Sequence, residues 1–156
     1  MVTSRADRTW YVLQSDGPKT SASVGLLLID DRGWILLQLR DGNGIYPYHW
    51  ATVGGAVEEG EPLEAAIQRE VDEETGYKVT APPAFGSSAT LVLPNGHVRR
   101  ATLFFARYDG VQPIRCLEGL QITFVDPSTL DSLLIYPGQK ALILNALRCY
   151  KESAAL

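Results

Sequence analysis

The chain has 156 residues, of which 46% are hydrophobic and 21% are charged, and its formal net charge is −4. This composition predicts one domain over residues 1–156 that can bury a sizeable core, and the acidic balance argues against a polymeric nucleic-acid partner. No apolar run is long enough to cross a bilayer, and two cysteines are too few for a disulfide framework. We therefore expect a cytoplasmic protein with no membrane partner.

The chain begins with a predicted lead-in and a β-hairpin. Residues 1–20 are polar apart from the run 10–13, which predicts one short strand. Residues 21–29 end in an apolar run and predict a buried strand. The turn sequence of residues 30–33 (Asp-Asp-Arg-Gly) and the apolar residues 34–39 complete the hairpin.

Two candidate substrate contacts follow the hairpin. Arg40 ends the second strand, where it either stays solvated or binds phosphate oxygens, which its planar fork suits. The ring-rich run 46–50 either packs the core or supplies a ring that stacks on a nucleobase. Within that run Tyr48 is the candidate for binding substrate.

Residues 62–75 predict an α-helix. Pro62 suits the first helical position, because its missing N–H would have no partner there. Glu64 adds negative charge to the first turn, which the helix dipole favours. Gly76 can adopt the left-handed conformation that ends a helix.

The acids of this helix share its apolar face. At about 100° per residue, Glu70 and Glu74 project from the middle of the apolar stripe and Glu73 lies at its edge. Two carboxylates about 5 Å apart repel by roughly 3 kcal/mol at an effective dielectric of 20, a cost relieved by raised pKa values, a basic partner or a cation. Arg69 is predicted to point away from the pair, so a hard divalent cation, Mg²⁺, is the favoured partner. The stripe consists of Leu63, Ala66, Ile67 and Val71.

Residues 55–77 match one spaced pattern, Gly-x5-Glu-x7-Arg-Glu-U-x-Glu-Glu-x-Gly-U, in which U is a bulky apolar residue. Its seven identities and two apolar positions arise by chance at on the order of one in 10⁹ starting points. The stretch resembles the signature box of the Nudix hydrolases, although Val53 stands where these enzymes usually carry proline. The resemblance implies an α/β (α+β) Nudix fold, with a mixed central β-sheet sandwiched between helices.

The resemblance also implies a metal site. Glu70 and Glu74 are the first choice as Mg²⁺ ligands, and Mn²⁺ can substitute for Mg²⁺. The Gly54 carbonyl is implied as a further ligand, and Glu73 as a ligand or a residue that orients water. Glycine at position 54 lets the backbone approach this site closely.

A carboxylate must accept the proton of the attacking water, and the predicted catalytic residues are Glu70, Glu73 and Glu118. Members of the family differ in the acid that acts as base, so Glu73 and Glu118 are both candidates for that role. Glu118 stands six residues before Phe124, the spacing at which the family often carries a further acid; the alternative is an exposed loop glutamate. Arg69 and Glu61 are predicted to pair and brace the helix against its loop.

The second half of the chain predicts further strands and two helices. Arg99 and Arg100 are neighbours on one predicted strand and therefore face opposite sides, so at most one enters the site, and a surface ion pair is favoured for both. The final helix carries an apolar face, and Gln139 at its start is a candidate for reading a base edge. The predicted strands cover residues 78–84, 88–93, 97–108 and 120–125, and the predicted helices cover residues 127–134 and 139–151.

The implied reaction is hydrolysis of a nucleoside diphosphate linked to another group. The modest length and the position of Glu118 favour a nucleoside triphosphate pyrophosphatase that releases a nucleoside monophosphate and pyrophosphate. The alternatives are an ADP-ribose or nucleotide-sugar pyrophosphatase and a nucleotide-binding Nudix module without activity. The expected partner is a small nucleotide, and the expected assembly is a monomer or a homodimer.

Overall fold

The structure, a computed structural model, describes residues 11–12 and 20–155. The rest of the predicted lead-in over residues 1–20 lies outside the described residues, but the strand expected at residues 10–13 is present as Tyr11–Val12. Eight strands of the described chain form one sheet. They are β1 (Tyr11–Val12), β2 (Thr20–Ile29), β3 (Ile35–Leu39), β4 (Trp50–Ala51), β5 (Val53–Ala56), β6 (Ala84–Val92), β7 (Val98–Arg107) and β8 (Gln121–Val125). The helices are α1 (Leu63–Thr75), a 3₁₀ helix (Pro127–Ser132) and α2 (Pro137–Ala154).

Strand β2 is the centre of the sheet. It pairs in parallel with β7 over its whole length, from Thr20 opposite Val98 to Ile29 opposite Arg107. Its other neighbours, β1, β3 and β5, are antiparallel to it. β6 pairs antiparallel with β7, and β3 pairs antiparallel with β4 and β8. The sheet is therefore mixed, and its central strand is buried on both faces, as an apolar run in a covered sheet should be.

The two faces of the sheet pack against different helices. Because side chains alternate along a strand, Leu26 and Leu28 of β2 join one apolar cluster with Ile67 of α1. Leu27 and Ile29 face the other way and join a second cluster with α2. The predicted arrangement, a mixed sheet between helices, is confirmed. Four side chains anchor α2 in the second cluster: Leu142, Ile143, Ala146 and Leu147.

The prediction of a strand over residues 78–84 is wrong. The backbone N–H and C=O of Lys78 bond to the side chain of Gln112, which leaves them unavailable to a strand ladder. β6 instead runs unbroken from Ala84 to Val92, with a register shift around Gly86. A Cβ at Gly86 would lie 2.8 Å from the Ala146 Cβ, so glycine lets this part of β6 lie against α2.

Two helix starts and one helix type also differ from prediction. Pro62 is the N-cap of α1, with extended φ and ψ, so the helix begins one residue later. The segment after Asp126 is a 3₁₀ helix, capped by Asp126 through the Ser128 N–H at 2.9 Å. α2 begins at Pro137. A proline has no backbone N–H to donate, but the N–H groups of the first helical turn have no partner within the helix, so the proline is tolerated there.

No helix in the described chain is long and apolar enough to cross a membrane.

Replacing Ile143 by Ala should lower the free energy of unfolding by about 2–5 kcal/mol, because this fully buried side chain anchors α2 on the sheet. Leu144→Ala is the matched control, since Leu144 is 48% exposed on the same helix and should cost under ~1 kcal/mol. Urea unfolding followed by circular dichroism measures both. Equal losses would contradict the packing of α2 described above.

Candidate active site

Two glycines of β5 allow close packing beside the acids of α1: Gly55 makes room for the helix, and Gly54 makes room for the backbone of β2. A Cβ at Gly55 would lie 2.6 Å from the Glu70 carboxyl carbon. Gly54 has φ of +152°, which disfavours other residues, and a Cβ there would lie 2.1 Å from the Val24 carbonyl oxygen. The Gly54 N–H donates to Glu74 Oε2 at 3.2 Å. The backbone at Gly54 and Gly55 thus packs directly against the two acids.

The acids of α1 lie where the helical pattern predicted. Glu70 and Glu74 are 4% and 2% exposed, among the apolar residues of the same face. The Glu73 side chain is 38% exposed, in agreement with a place at the edge of that face. Burying a carboxylate is costly unless it is paired or bonded, so these two acids depend on the groups that contact them.

Arg69 does not point away from the acids, and that prediction is wrong. Its Nη1 donates to Glu70 Oε1 at 2.8 Å and lies 3.6 Å from Glu73 Oε2. The side chain curls back because the preceding loop holds it: Nε and Nη2 donate to Glu61 at 2.8 and 2.7 Å, and Nη2 donates to the Ala56 carbonyl at 3.0 Å. The predicted brace between Arg69 and Glu61 is confirmed.

This brace changes the titration of its partners. The hydrogen bonds from Arg69 hold the pKa of Glu61 below its usual range, against the opposing effect of partial burial. The same bonds raise the pKa of Arg69. The ion pair therefore stays charged throughout the neutral range.

The donor chemistry of the site fits a hard divalent cation. Glu70 and Glu74 offer only oxygen, the element that Mg²⁺ prefers, and both are buried beside the backbone of Gly54. Among the described residues, no three acid, histidine or cysteine side chains stand together ready to hold a metal. In this geometry Arg69 holds Glu70, and the Gly54 N–H holds Glu74. At least one oxygen of each acid therefore accepts a hydrogen bond from the protein itself.

The loop that carries Glu118 docks on the end of α1. The Leu117 N–H donates to the Glu74 carbonyl at 2.9 Å, and the Arg115 N–H donates to the Thr75 carbonyl at 3.0 Å. On its other side, Gln38 Nε2 donates to the Glu118 carbonyl at 2.9 Å. These contacts bring the backbone of Glu118, which is half-buried, next to the helix end that bears Glu74.

A cleft with about 500 Å³ of open space lies on the α2 side of the sheet and reaches Gly54 and Gly55. Arg40 and Gln139, two of the predicted substrate contacts, line it. Tyr48 is not among the lining residues; it is 59% exposed. Tyr46 of the same run stacks instead on Tyr136, a residue of the cleft wall, with ring centroids 4.1 Å apart.

Two further residues of the cleft wall, Tyr136 and Thr52, were not identified from the sequence, and Arg99 was considered there without being assigned to the site. Tyr136 donates its hydroxyl to Gln139 Oε1 at 2.9 Å, and Gln139 Nε2 contacts Thr52 Oγ1 at 3.3 Å. Arg99 lines the cleft, whereas the sequence favoured a surface ion pair for it, and Arg100 is exposed. Strand alternation showed that only one of these arginines could enter, but a lone sequence contains no signal for which one.

Replacing Glu61 by Gln should lower the free energy of unfolding at pH 7 by about 1.5–3 kcal/mol, the range for charge-assisted hydrogen bonds. Because the folded pKa of Glu61 is lowered, its stabilising effect is present above the unfolded value of about 4.3 and is lost as pH falls through the folded value. Urea unfolding between pH 3 and pH 8 should therefore show the difference from the parent shrinking in acid. Glu59→Gln, in the same loop and exposed, is the control; a pH-independent loss in Glu61→Gln would contradict the ionic brace.

Comparison with known proteins identifies the family. The sequence pattern described as NUDIX domain matches residues 19–143 of this chain. The nucleoside triphosphatase NudI of Escherichia fergusonii is 42% identical over 53 residues, which are 34% of this chain and 38% of that protein. The chain thus matches well under half the length of this curated relative.

Solved structures share the fold at low sequence identity. The MutT protein of Methanosarcina mazei Go1 has a TM-score of 0.74 and 22% identity, covering 88% of this chain and 99% of that one. The NUDIX domain of Shewanella oneidensis NrtR, solved with ADP ribose, has a TM-score of 0.71 and 17% identity, covering 83% and 87%. With the family pattern spanning most of its length, this chain belongs to the NUDIX domain family, the family of the Nudix hydrolases.

Proposed function

We propose that this protein is a Mg²⁺-dependent hydrolase of nucleoside diphosphate derivatives, and that its substrate is a nucleoside triphosphate cleaved to a nucleoside monophosphate and pyrophosphate. One observation carries the proposal: two buried carboxylates, Glu70 and Glu74, pack against the glycines that line an arginine-bearing cleft. This arrangement suits a substrate with phosphate groups. The acids on one side can hold a cation that binds the phosphates, and the guanidinium groups on the other side can donate hydrogen bonds to the phosphate oxygens.

The choice of a triphosphate is supported by the partial match to a nucleoside triphosphatase. That match covers 34% of this chain. ADP-ribose is the second candidate, since the NUDIX domain of NrtR, which shares this fold, was solved with ADP ribose. Both substrates contain the phosphoric anhydride bond that the proposed reaction breaks.

Glu70 and Glu74 would hold the metal, with the Gly54 carbonyl and Glu73 as further candidates, and Mn²⁺ would substitute for Mg²⁺. When bound, such an ion offsets the charge of the diphosphate and lowers the pKa of the attacking water. Arg69 keeps Glu70 in place through its 2.8 Å bond, and the Gly54 N–H does the same for Glu74. These contacts orient the acids before substrate arrives.

A carboxylate outside the buried pair would accept the proton of the attacking water. Glu73 is open to solvent at the edge of the acidic face, and Glu118 is carried by the loop docked on the end of α1. Both remain candidates for the base. Arg40, which lines the cleft, would contact the phosphate oxygens.

Direct attack by water fits the rest of the chain. Cys116 lies in the exposed loop, with Sγ 3.4 Å from the Glu118 carbonyl, and Cys149 contacts the Phe85 carbonyl. Neither cysteine lines the cleft. A single displacement without a covalent intermediate is therefore the proposed course.

We further propose one domain over residues 1–156 in the cytoplasm, as a monomer or a homodimer.

A nucleotide-binding module without activity is the alternative from another class. A panel of nucleoside triphosphates, ADP-ribose, nucleotide sugars and dinucleoside polyphosphates, incubated with the protein and Mg²⁺, separates the two, with products identified by chromatography. Turnover of a triphosphate supports the proposal. Saturable binding without turnover of any compound would favour the module.

Glu70→Gln and Glu74→Gln should each lower kcat by on the order of 10²-fold or more, because loss of a charged metal ligand removes several kcal/mol of transition-state stabilisation. Glu64→Gln, exposed on the same helix, is the matched control and should keep full activity. Steady-state rates over a Mg²⁺ titration measure the effect, and unfolding curves check the fold. Near-parental rates in folded Glu70→Gln would show that this acid is structural.

Hydrolysis in ¹⁸O-water identifies the bond that is broken. With a triphosphate substrate, we expect a monophosphate and pyrophosphate, with ¹⁸O in one of these two products, because water attacks an internal phosphorus directly. Mass spectrometry of the products measures the label. Release of labelled orthophosphate as the first product would identify a terminal phosphatase and contradict the proposed cleavage.

A further inference from the structure

Gln38 is a polar side chain buried on an apolar face of the sheet. It is 8% exposed, and because side chains alternate along β3 it faces the same side as Leu36, which belongs to the cluster that packs on α1. Burying an amide costs free energy unless it is hydrogen-bonded. For packing alone an apolar side chain would serve at this position, so the amide is best explained by the group that it bonds.

The group that Gln38 bonds belongs to the loop that carries Glu118. Gln38 Nε2 donates to the Glu118 carbonyl at 2.9 Å, across 80 residues of chain. The next residue, Gly119, has φ of +80°, and a Cβ there would lie 2.7 Å from the Leu39 carbonyl oxygen and 3.0 Å from Gln38 Cγ. Glycine thus lets the loop lie directly against the end of β3. The Leu120 N–H then donates to the Leu39 carbonyl at 2.9 Å.

Glu118 lies between two anchors of the backbone. On its N-terminal side, the Leu117 N–H donates to the Glu74 carbonyl at the end of α1, at 2.9 Å. On its C-terminal side, the Glu118 carbonyl accepts from Gln38. Because these bonds hold the chain on both sides of the Glu118 Cα, they restrict its φ and ψ, the two soft backbone dihedrals. They therefore restrict the direction in which the Glu118 side chain leaves the backbone.

Hydrogen bonds hold this loop more than apolar packing does. Leu117 and Leu120 are 58% and 57% exposed, and Arg115 and Cys116 are exposed as well. A segment with few buried apolar contacts opens at a low cost in free energy. Loss of one hydrogen bond should therefore change the position of the loop more than it changes the core.

We infer that Gln38 is a positioning residue, which holds Glu118 beside the end of α1 so that its carboxylate accepts a proton from the attacking water. As the water oxygen bonds the phosphorus, the proton passes to Glu118 and the anhydride bond breaks, with its electron pair on the departing phosphate group. This inference rests on the proposed function, and it takes Glu118 rather than Glu73 as the base. Gln38 acts through Glu118 and does not touch the substrate.

A double-mutant cycle with Glu118→Gln tests the inference in the full chain. With Mg²⁺ and a triphosphate substrate, Gln38→Met should lower kcat about tenfold at nearly constant KM, because the side chain keeps its length but loses its donor and the base is displaced. In the Glu118→Gln background the same change should alter kcat by less than about twofold, since no base remains to be displaced. Gln121→Met is the matched control: Gln121 is exposed at the start of β8, next to the same loop, and its loss should leave kcat unchanged.

Hydrogen exchange reports on the loop without any turnover. In Gln38→Met, the amides of Leu117 and Leu120 should exchange about two- to tenfold faster than in the parent, because loss of one hydrogen bond makes opening of the loop easier. In Gln121→Met both amides should exchange at the parental rate. Nuclear magnetic resonance of the protein without nucleotide measures these rates.

Three kinetic results would overturn the inference. They are a parental kcat in folded Gln38→Met, a parental kcat in Glu118→Gln, and an equal loss of kcat from Gln38→Met in both backgrounds, which would mean that Gln38 serves the fold alone. If Gln38→Met fails to fold, Gln38→Asn takes its place with the same expectations, because its amide is one carbon shorter and falls short of the Glu118 carbonyl.

Failure of the inference and failure of the proposed function are distinguishable. Faster exchange in Gln38→Met, in a protein that hydrolyses no nucleotide, would reject the proposed function and leave the anchor on the loop in place. Hydrolysis of a triphosphate, with parental kcat and parental exchange in Gln38→Met, would keep the proposed function and reject the role of Gln38.

Discussion

The close packing of helix α1 on Gly54 and Gly55 is the constraint on which the site depends. A side chain at either glycine would collide with Glu70 or with the backbone of β2. Without that approach, the Gly54 N–H could not bond Glu74, and both acids would lose the backbone wall that faces them. The missing side chain of Gly55 thus makes room for the Glu70 carboxylate, and that of Gly54 lets β5 pack on β2 with its N–H bonded to Glu74.

Arg69 provides the second half of this arrangement. By bonding Glu61, the Ala56 carbonyl and Glu70 at once, it ties the loop, the strand and the helix together. One guanidinium thus pairs with several carboxylates, those of Glu61, Glu70 and Glu73 among them. These bonds hold the loop, the strand and the helix in one arrangement around the acids.

The acidic face could be predicted from the sequence because it follows from helical periodicity, whereas the mixed sheet between helices was expected from the resemblance to the Nudix hydrolases. Apolar runs and helical spacing decide which side chains are buried, and Glu70 and Glu74 lie where that spacing put them. The position of Arg69 was not predictable in this way, since a long side chain bends towards partners that only the folded loop supplies. The strand expected at residues 78–84 failed for a related reason: Gln112, far along the chain, bonds the backbone of Lys78. The cleft likewise combines residues of β2, β5, β7 and α2, and local sequence does not contain their convergence.

The parallel pairing of β2 with β7 also bears on how the chain reaches its fold. Residues 20–29 make their longest strand pairing with residues 98–107. The centre of the sheet therefore forms only after the long stretch of chain between these two strands has been closed into a loop. Pairings of this kind slow folding relative to local hairpins. During synthesis, α1 leaves the ribosome before β7 does, while Phe104 and Ala106 of β7 belong to the cluster that covers its apolar stripe. The helix that bears the acids is thus made before part of the surface that covers it, and an apolar stripe exposed in the nascent chain promotes aggregation.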